Sequence, residues 1–195
     1  MKNKIRLLII SVFILVGVTT AQNTCNVIQK QVDSKEYYLK RIKERNTLVL
    51  IKKLDSTNRT NVIVDKVLVK NVNNFLLAAE QHCVNLDRLM DLEFIAFDYI
   101  LDENPLSTTL GFQQTVLFNK DYIVINSHAS MPPNTLDIVV FHELVHHIRN
   151  DSFHCIEDDC SLIMRPGLSP KIIDSIVKDR SNQVKLAFKD LPKCD

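Results

Sequence analysis

The sequence contains only three glycines among its 195 residues, at Gly17, Gly111 and Gly167. Loops that bind phosphate groups need clustered glycines, because only then can backbone N–H groups approach the ligand closely. Isolated glycines cannot form a dinucleotide-binding turn, a P-loop or the nucleophile turn of a serine hydrolase. The scarcity of glycine therefore excludes the common nucleotide-binding enzymes and the α/β-hydrolases.

Long hydrophobic runs are also missing, apart from one short run near the N-terminus. Three basic residues precede the apolar segment Leu7–Val18, and Thr19, Thr20 and Ala21 supply the small residues of a cleavage site. The segment is short for a membrane span and is typical of a secretory signal peptide. We therefore expect residues 1–21 to be removed, and the protein to be secreted or periplasmic without stable membrane insertion.

Neither sign of charge dominates the remaining chain. Residues 22–195 hold 21 basic and 23 acidic side chains, because three of the basic ones lie in the signal segment. Such a balance gives no overall attraction to nucleic acid or anionic lipid, so we expect no nucleic-acid partner. No repeat or linker divides residues 22–195, and we expect one monomeric domain.

Hydrophobic periodicity predicts an α+β fold with a mixed sheet and helices packed on it. Asn71, Asn134 and Ser169 are suited to cap the helices, with Asp137 completing a weak capping box after Asn134. Residues rich in β-branched side chains predict the strands, and apolar residues at helical spacing predict the helices. The strands are expected at 47–54, 61–69, 92–101, 115–118 and 122–126, and the helices at 71–83, 134–148 and 170–188.

One segment carries recognisable chemistry. His142-Glu143-Leu144-Val145-His146 matches the pattern H-E-x-x-H on the helix predicted over 134–148. Residues four apart lie on one face of an α-helix, so both imidazoles can bind one metal ion. Glu143 lies about 100° round the helix, where it can act as general base on a water molecule activated by the metal. The alternative is a surface helix with charged neighbours.

His147 follows the second histidine of this motif directly. Its side chain points about 100° away from that of His146, which makes it a poor third ligand. We expect it to be exposed to solvent or to lie behind the ligands.

A catalytic zinc site needs three protein ligands and one open position. The nearest downstream candidates are Asp151 and His154, and two aspartates of the last predicted helix lie further on. His154 is the favoured third ligand, because the helix can end near Arg149 and the chain can turn back through Asn150, which tolerates a left-handed conformation. Asp151 stays open as the alternative.

An exported protein with five cysteines is expected to contain disulfides. The odd number leaves at least one cysteine unpaired within the chain. A local bridge between Cys155 and Cys160 is favoured over a zinc-thiolate pair, and a bridge from Cys25 to Cys194 would join the two ends. Cys83 is the fifth.

The segment from His142 to Met164 resembles the metzincin clan of zinc metalloendopeptidases. That clan carries HExxHxxGxxH followed by a methionine-containing turn, and its archaemetzincin branch adds C-x-x-x-x-C after the third histidine. Met164-Arg165-Pro166 is similar to the matrixins. Two departures are evident: Arg149 stands where the clan has glycine, and the third histidine comes two residues late.

The resemblance implies a zincin-like fold, with an active-site helix and a C-terminal helix packed on the mixed sheet. It also implies a secreted zinc-dependent endopeptidase in which His142, His146 and His154 hold Zn²⁺ and Glu143 is the catalytic base. Its substrate would be a peptide or protein. Two other classes are considered: a zinc hydrolase that does not cleave peptides, and a catalytically inactive secreted binding domain.

Overall fold

The structure is a computed structural model that describes residues 33–43, 48–51, 62–98, 110–114, 121–126, 131–151, 154 and 160–194. The predicted signal segment, Cys25 and Cys155 lie outside these residues. Within the described part of the chain, no helix combines the length and the apolar character needed to cross a bilayer.

Five strands among the described residues form one mixed sheet in the order β1-β2-β3-β5-β4. The three central strands, β2, β3 and β5, run parallel, and the edge strands β1 and β4 run antiparallel to their neighbours. This arrangement confirms the predicted mixed sheet. The strands are β1 (Leu48–Ile51), β2 (Val62–Asp65), β3 (Leu92–Asp98), β4 (Gly111–Gln114) and β5 (Asp121–Asn126).

Helices cover both faces of this sheet. A large apolar core joins one face to the central helices, with Phe75, Phe141 and Phe188 in mutual ring contact. On the other face, Tyr38 and Ile42 of the first helix pack with strand residues. The helices are α1 (33–43), α2 (Val69–Gln81), α3 (Pro133–Arg149), α4 (Pro170–Lys178) and α5 (Arg180–Ala187). Helices and a mixed sheet together agree with the α+β expectation.

The boundaries of the second strand and second helix differ from the prediction. The strand expected to reach residue 69 ends at Asp65, whose side chain accepts a hydrogen bond from the Val67 N–H, and α2 begins at Val69. Asn71 therefore lies inside the helix, where its amide donates to Asp137 at 3.3 Å. A partner 66 positions away thus prevails over the local preference of asparagine for a helix start.

The expected cap of α3 is also wrong. The helix begins at Pro133 with Pro132 as its N-cap, so Asn134 lies in the first turn. Asp137 does not reach back to the helix start. Its carboxylate instead accepts from Asn74 and pairs with Arg180, which joins α3 to α2 and α5.

Ser169 caps α4 as expected, since its hydroxyl accepts from the Ile172 N–H at 3.4 Å. The single helix predicted from 170 to 188 is broken, however, because Asp179 has φ −124° and ψ 36°. The break redirects the chain, and α5 then brings Arg180 to Asp137 and Gln183 to the turn beside the histidines.

The antiparallel pair before α3 was predicted as a hairpin with arms at 115–118 and 122–126. β4 and β5 are antiparallel as expected, and Asp121 belongs to the strand instead of the turn. The described part of the first arm is Gly111–Gln114, and residues 115–120 lie outside the described residues. This pairing makes β4 an edge strand of the sheet.

Candidate metal centre

The end of α3 controls where the chain goes after the second histidine. The helix ends at Arg149, and Asn150 adopts the left-handed conformation with φ 58° and ψ 38°, as its residue type predicted. The Arg88 guanidinium donates to the Asn150 side chain at 2.8 Å and helps hold this turn. The chain then returns His154 to the face of α3 that carries His142 and His146.

Three imidazole nitrogens converge on one point. Nε2 of His142 lies 3.0 Å from Nε2 of His146 and 3.2 Å from Nε2 of His154. One ligand atom from each of the three rings lies within 4.8 Å of the others. This group can hold a metal ion.

Backbone carbonyls fix the tautomers of two of these rings. Nδ1–H of His142 donates to the Ile163 carbonyl at 2.6 Å, and Nδ1–H of His146 donates to the Asp151 carbonyl at 3.1 Å. A neutral imidazole has only one N–H, so each Nε2 is left with a lone pair. Carbonyls that orient metal-binding histidines in this way are common in metalloproteins.

This arrangement fits a cation better than it fits two hydrogen-bonded rings. Two Nε2 lone pairs 3.0 Å apart repel, and neither carries the hydrogen that would bridge them. Burial lowers the pKa of His142 to about 4 and also lowers that of His146, so protonation does not supply this hydrogen at neutral pH. Nitrogens bound tetrahedrally to one zinc lie roughly 3.3 Å apart, close to the distances found.

Asp151, the alternative third ligand, lies elsewhere. Its carboxylate approaches the other ring nitrogen of His146, with Oδ1 3.8 Å from Nδ1, and accepts from the Arg149 guanidinium at 3.2 Å. It is not part of the converging group. The geometry therefore associates His154 with the two helical histidines and places Asp151 behind His146.

Glu143 is buried, with 6% of its surface exposed, and its side chain packs against the edge strand. A Cβ atom on Gly111 of β4 would lie only 2.9 Å from Glu143 Oε1, so this close approach requires glycine. Burial raises the pKa of Glu143 to about 8. A bound dication nearby would favour the charged carboxylate and lower that pKa again.

His147 points away from the group, as the helical spacing predicted, but the expectation that it could be exposed is wrong. Its ring is fully buried, and Nε2–H donates to the Arg88 carbonyl at 2.8 Å. Its Nδ1 lies 3.6 Å from a carboxylate oxygen of Asp121 at the start of β5. Helical periodicity gives the direction of a side chain but not which element packs there.

A turn from another part of the chain supports His142. The Ile163 carbonyl that receives its N–H belongs to the 3₁₀ turn Leu162–Met164, whose Ile163 and Met164 are buried. Gln183 of α5 binds this turn, because its side-chain oxygen accepts from the Leu162 N–H at 2.7 Å. The Ser161 hydroxyl donates to the Gln183 carbonyl at 2.7 Å. Gln183 therefore holds the segment that orients His142.

Sequence reasoning missed the roles of Gly111 and Gln183. Gly111 left a usable signal, because an isolated glycine within a strand often marks a close approach of another group to the backbone. Gln183 left none, since its contact with Leu162 joins residues 21 positions apart on elements that the pattern does not pair.

The cysteines follow the prediction only in part. Cys160 is disulfide-bonded, and its partner lies outside the described residues, as does the predicted partner Cys155. The suggested bridge from Cys25 to Cys194 is not formed in this structure, in which Cys194 is a free and exposed thiol, and Cys25 lies outside the described residues.

Comparisons with known proteins add no relative. No protein-family model matches the chain, and neither a curated protein nor a solved structure matches it significantly.

Proposed function

We propose that this protein is a secreted zinc-dependent metallopeptidase with a zincin-like fold. The observation that carries the proposal is the convergence of three histidine Nε2 atoms, two of which belong to the helix that also carries the buried Glu143. Three imidazoles without a thiolate leave a coordination position for water or substrate, as catalytic zinc sites do. The resemblance of residues 142–164 to metzincins supports peptides or proteins as the substrate.

His142, His146 and His154 would hold the ion through Nε2. When bound, zinc would supply a Lewis acid that polarises a carbonyl and acidifies water. The Ile163 and Asp151 carbonyls keep two of the rings in the tautomer that ligation needs. Their hydrogen bonds also fix the ring orientations, which reduces the ordering that binding requires.

Glu143 would act as the proton carrier. Its carboxylate would accept a proton from the attacking water and deliver it to the amine that leaves when the peptide bond breaks. Burial raises the pKa of Glu143 to about 8, and a bound dication would lower it again, so that the carboxylate would be ionised and able to accept the proton. The backbone at Gly111 limits the space available to this side chain.

The edge strand offers a binding surface for an extended peptide. Among the strands that the structure describes, β4 pairs with β5 alone, and its Gly111 lies against Glu143. A substrate strand that added to the edge of β4 opposite β5 would run alongside Gly111, which lies against the proposed base. This placement favours an endopeptidase that binds main chain over a hydrolase of small esters or amides.

Glu143→Ala tests the proposal. Hydrolysis of a quenched-peptide library should fall by at least about a thousandfold, because the proton carrier is lost, while zinc content per chain stays unchanged. Glu80→Ala, which changes an exposed glutamate of α2, is the matched control and should retain activity. Undiminished hydrolysis in Glu143→Ala would overturn the peptidase assignment. Normal zinc content without hydrolysis by the unmodified protein would favour the non-catalytic binding domain.

A further inference from the structure

The C-terminal segment is attached to the chain just after α2. Val84 and Lys193 form an isolated antiparallel bridge. Two backbone hydrogen bonds flank it, from Asn85 N–H to the Pro192 carbonyl at 2.7 Å and from Cys194 N–H to the Cys83 carbonyl at 2.9 Å. This register places Cys83 directly opposite Cys194.

The two thiols are close enough to affect each other's titration. A side-chain hydrogen bond with Cys83 is the main cause that raises the pKa of the Cys194 thiol, and both cysteines are exposed. Directly opposed residues in an antiparallel pair have Cα atoms about 5.5 Å apart where they are hydrogen-bonded. Disulfides span Cα separations of roughly 4.4–6.8 Å, so this register is compatible with a disulfide.

The conformation of Cys83 is a second, independent feature. Its φ is +51°, in the left-handed region that usually favours glycine or asparagine. The N–H groups of Cys83 and Val84 bond back to the Glu80 and Ala79 carbonyls, which ends α2 and turns the chain toward residue 194. These bonds fix the backbone of Cys83 opposite that of Cys194.

We propose that Cys83 and Cys194 form a disulfide that closes a loop containing the whole candidate metal centre. The reaction is thiol–disulfide exchange with a small disulfide such as oxidised glutathione. The thiolate of one cysteine attacks that disulfide and displaces one glutathione thiolate, and the second cysteine then attacks the mixed disulfide and displaces the other. Two protein thiols are oxidised and one glutathione disulfide is reduced to two thiols.

The proposal does not depend on catalysis, since it rests on the pairing of two chain segments. It is also compatible with the five cysteines of the chain. Cys160 has its own partner outside the described residues. A second bond between Cys83 and Cys194 then leaves one of the five cysteines unpaired.

Peptide mapping tests the pairing. The full chain, equilibrated with oxidised and reduced glutathione and then alkylated, should yield a non-reduced peptide pair that joins residues 83 and 194. The Cys160 bond is the internal reference for oxidising conditions. Alkylated Cys83 and Cys194 in a sample that retains the Cys160 bond would overturn the proposal, as would either cysteine linked to a different one.

Thermal unfolding gives an independent measurement. Cys83→Ser, Cys194→Ser and the double variant should each lower Tm by roughly 5–10 °C relative to the oxidised protein, because a loop of about 110 residues is released. The three losses should be equal, since each variant removes the same bond. A reductant that spares Cys160 should reproduce the loss. Unequal losses, or a Tm unchanged in all three, would contradict a shared cross-link.

Discussion

His146 and His147 are neighbours on α3 and share several properties, yet their surroundings differ. Both rings are buried, burial lowers the pKa of both, and each donates one N–H to a backbone carbonyl. His146 uses Nδ1 for that bond and directs Nε2 at two other rings. His147 uses Nε2 and leaves Nδ1 facing a single carboxylate, that of Asp121.

The comparison shows that burial and a perturbed pKa do not by themselves indicate a metal ligand. The distinguishing property is the nitrogen that the carbonyl leaves available and whether other lone pairs meet it. The remaining nitrogen of His146 meets two further imidazole nitrogens, whereas that of His147 faces one carboxylate oxygen at 3.6 Å. The two histidines should therefore respond in opposite ways to mutation, one through metal affinity and the other through stability.

The largest effect is expected on zinc affinity, when one of the three converging histidines is replaced. His154→Ala leaves two imidazoles, so zinc affinity should fall by about a thousandfold or more. Asp151→Ala should change it about tenfold or less, because its backbone carbonyl still orients His146. Zinc content after dialysis against a weak chelator measures both. Greater metal loss in Asp151→Ala would show that the carboxylate is the third ligand.

His147, which contacts Arg88 and Asp121, should show the opposite result: its loss should lower stability and leave metal affinity unchanged. His147→Ala removes a fully buried ring and leaves the Arg88 carbonyl without its donor, so metal-free protein should lose about 3 kcal/mol of unfolding free energy. His154→Ala is the control, because its exposed ring should contribute less than about 0.5 kcal/mol to that same free energy. Urea unfolding measures both variants. If His147→Ala folded but lost its zinc, the contrast between His146 as a metal ligand and His147 as a structural residue would be wrong.

A smaller effect on zinc affinity is expected from Gln183, which holds the turn that orients His142. Gln183→Leu removes the acceptor for the Leu162 N–H and loosens the turn that carries the Ile163 carbonyl, so zinc affinity should fall roughly tenfold. Gln183→Glu keeps an acceptor oxygen and should restore affinity. Gln81→Leu on the surface of α2 controls for the change in polarity. Equal affinity in all three variants would show that the turn holds its position without Gln183.

The predictable part of the molecule is that governed by short-range periodicity. The spacing of His142 and His146 indicated a shared face, and Asn150 indicated a left-handed helix end that allows the chain to return. The unpredicted part depends on partners far along the chain. Asn71 and Asp137 were assigned to helix starts, but they bond to each other across two helices. The break at Asp179 likewise serves contacts that local propensity does not encode.

The three histidines lie within 13 consecutive residues, and this proximity affects how binding and folding are linked. An unfolded chain can bring so local a set of imidazoles together at a small loop-closure cost. Any affinity of the unfolded state for zinc subtracts from the stabilisation that zinc gives the native state by mass action. Added metal should therefore raise stability by less than its native binding free energy. The gain in stability that added metal does give measures how far the distant Ile163 carbonyl and the rest of the fold preorganise the rings.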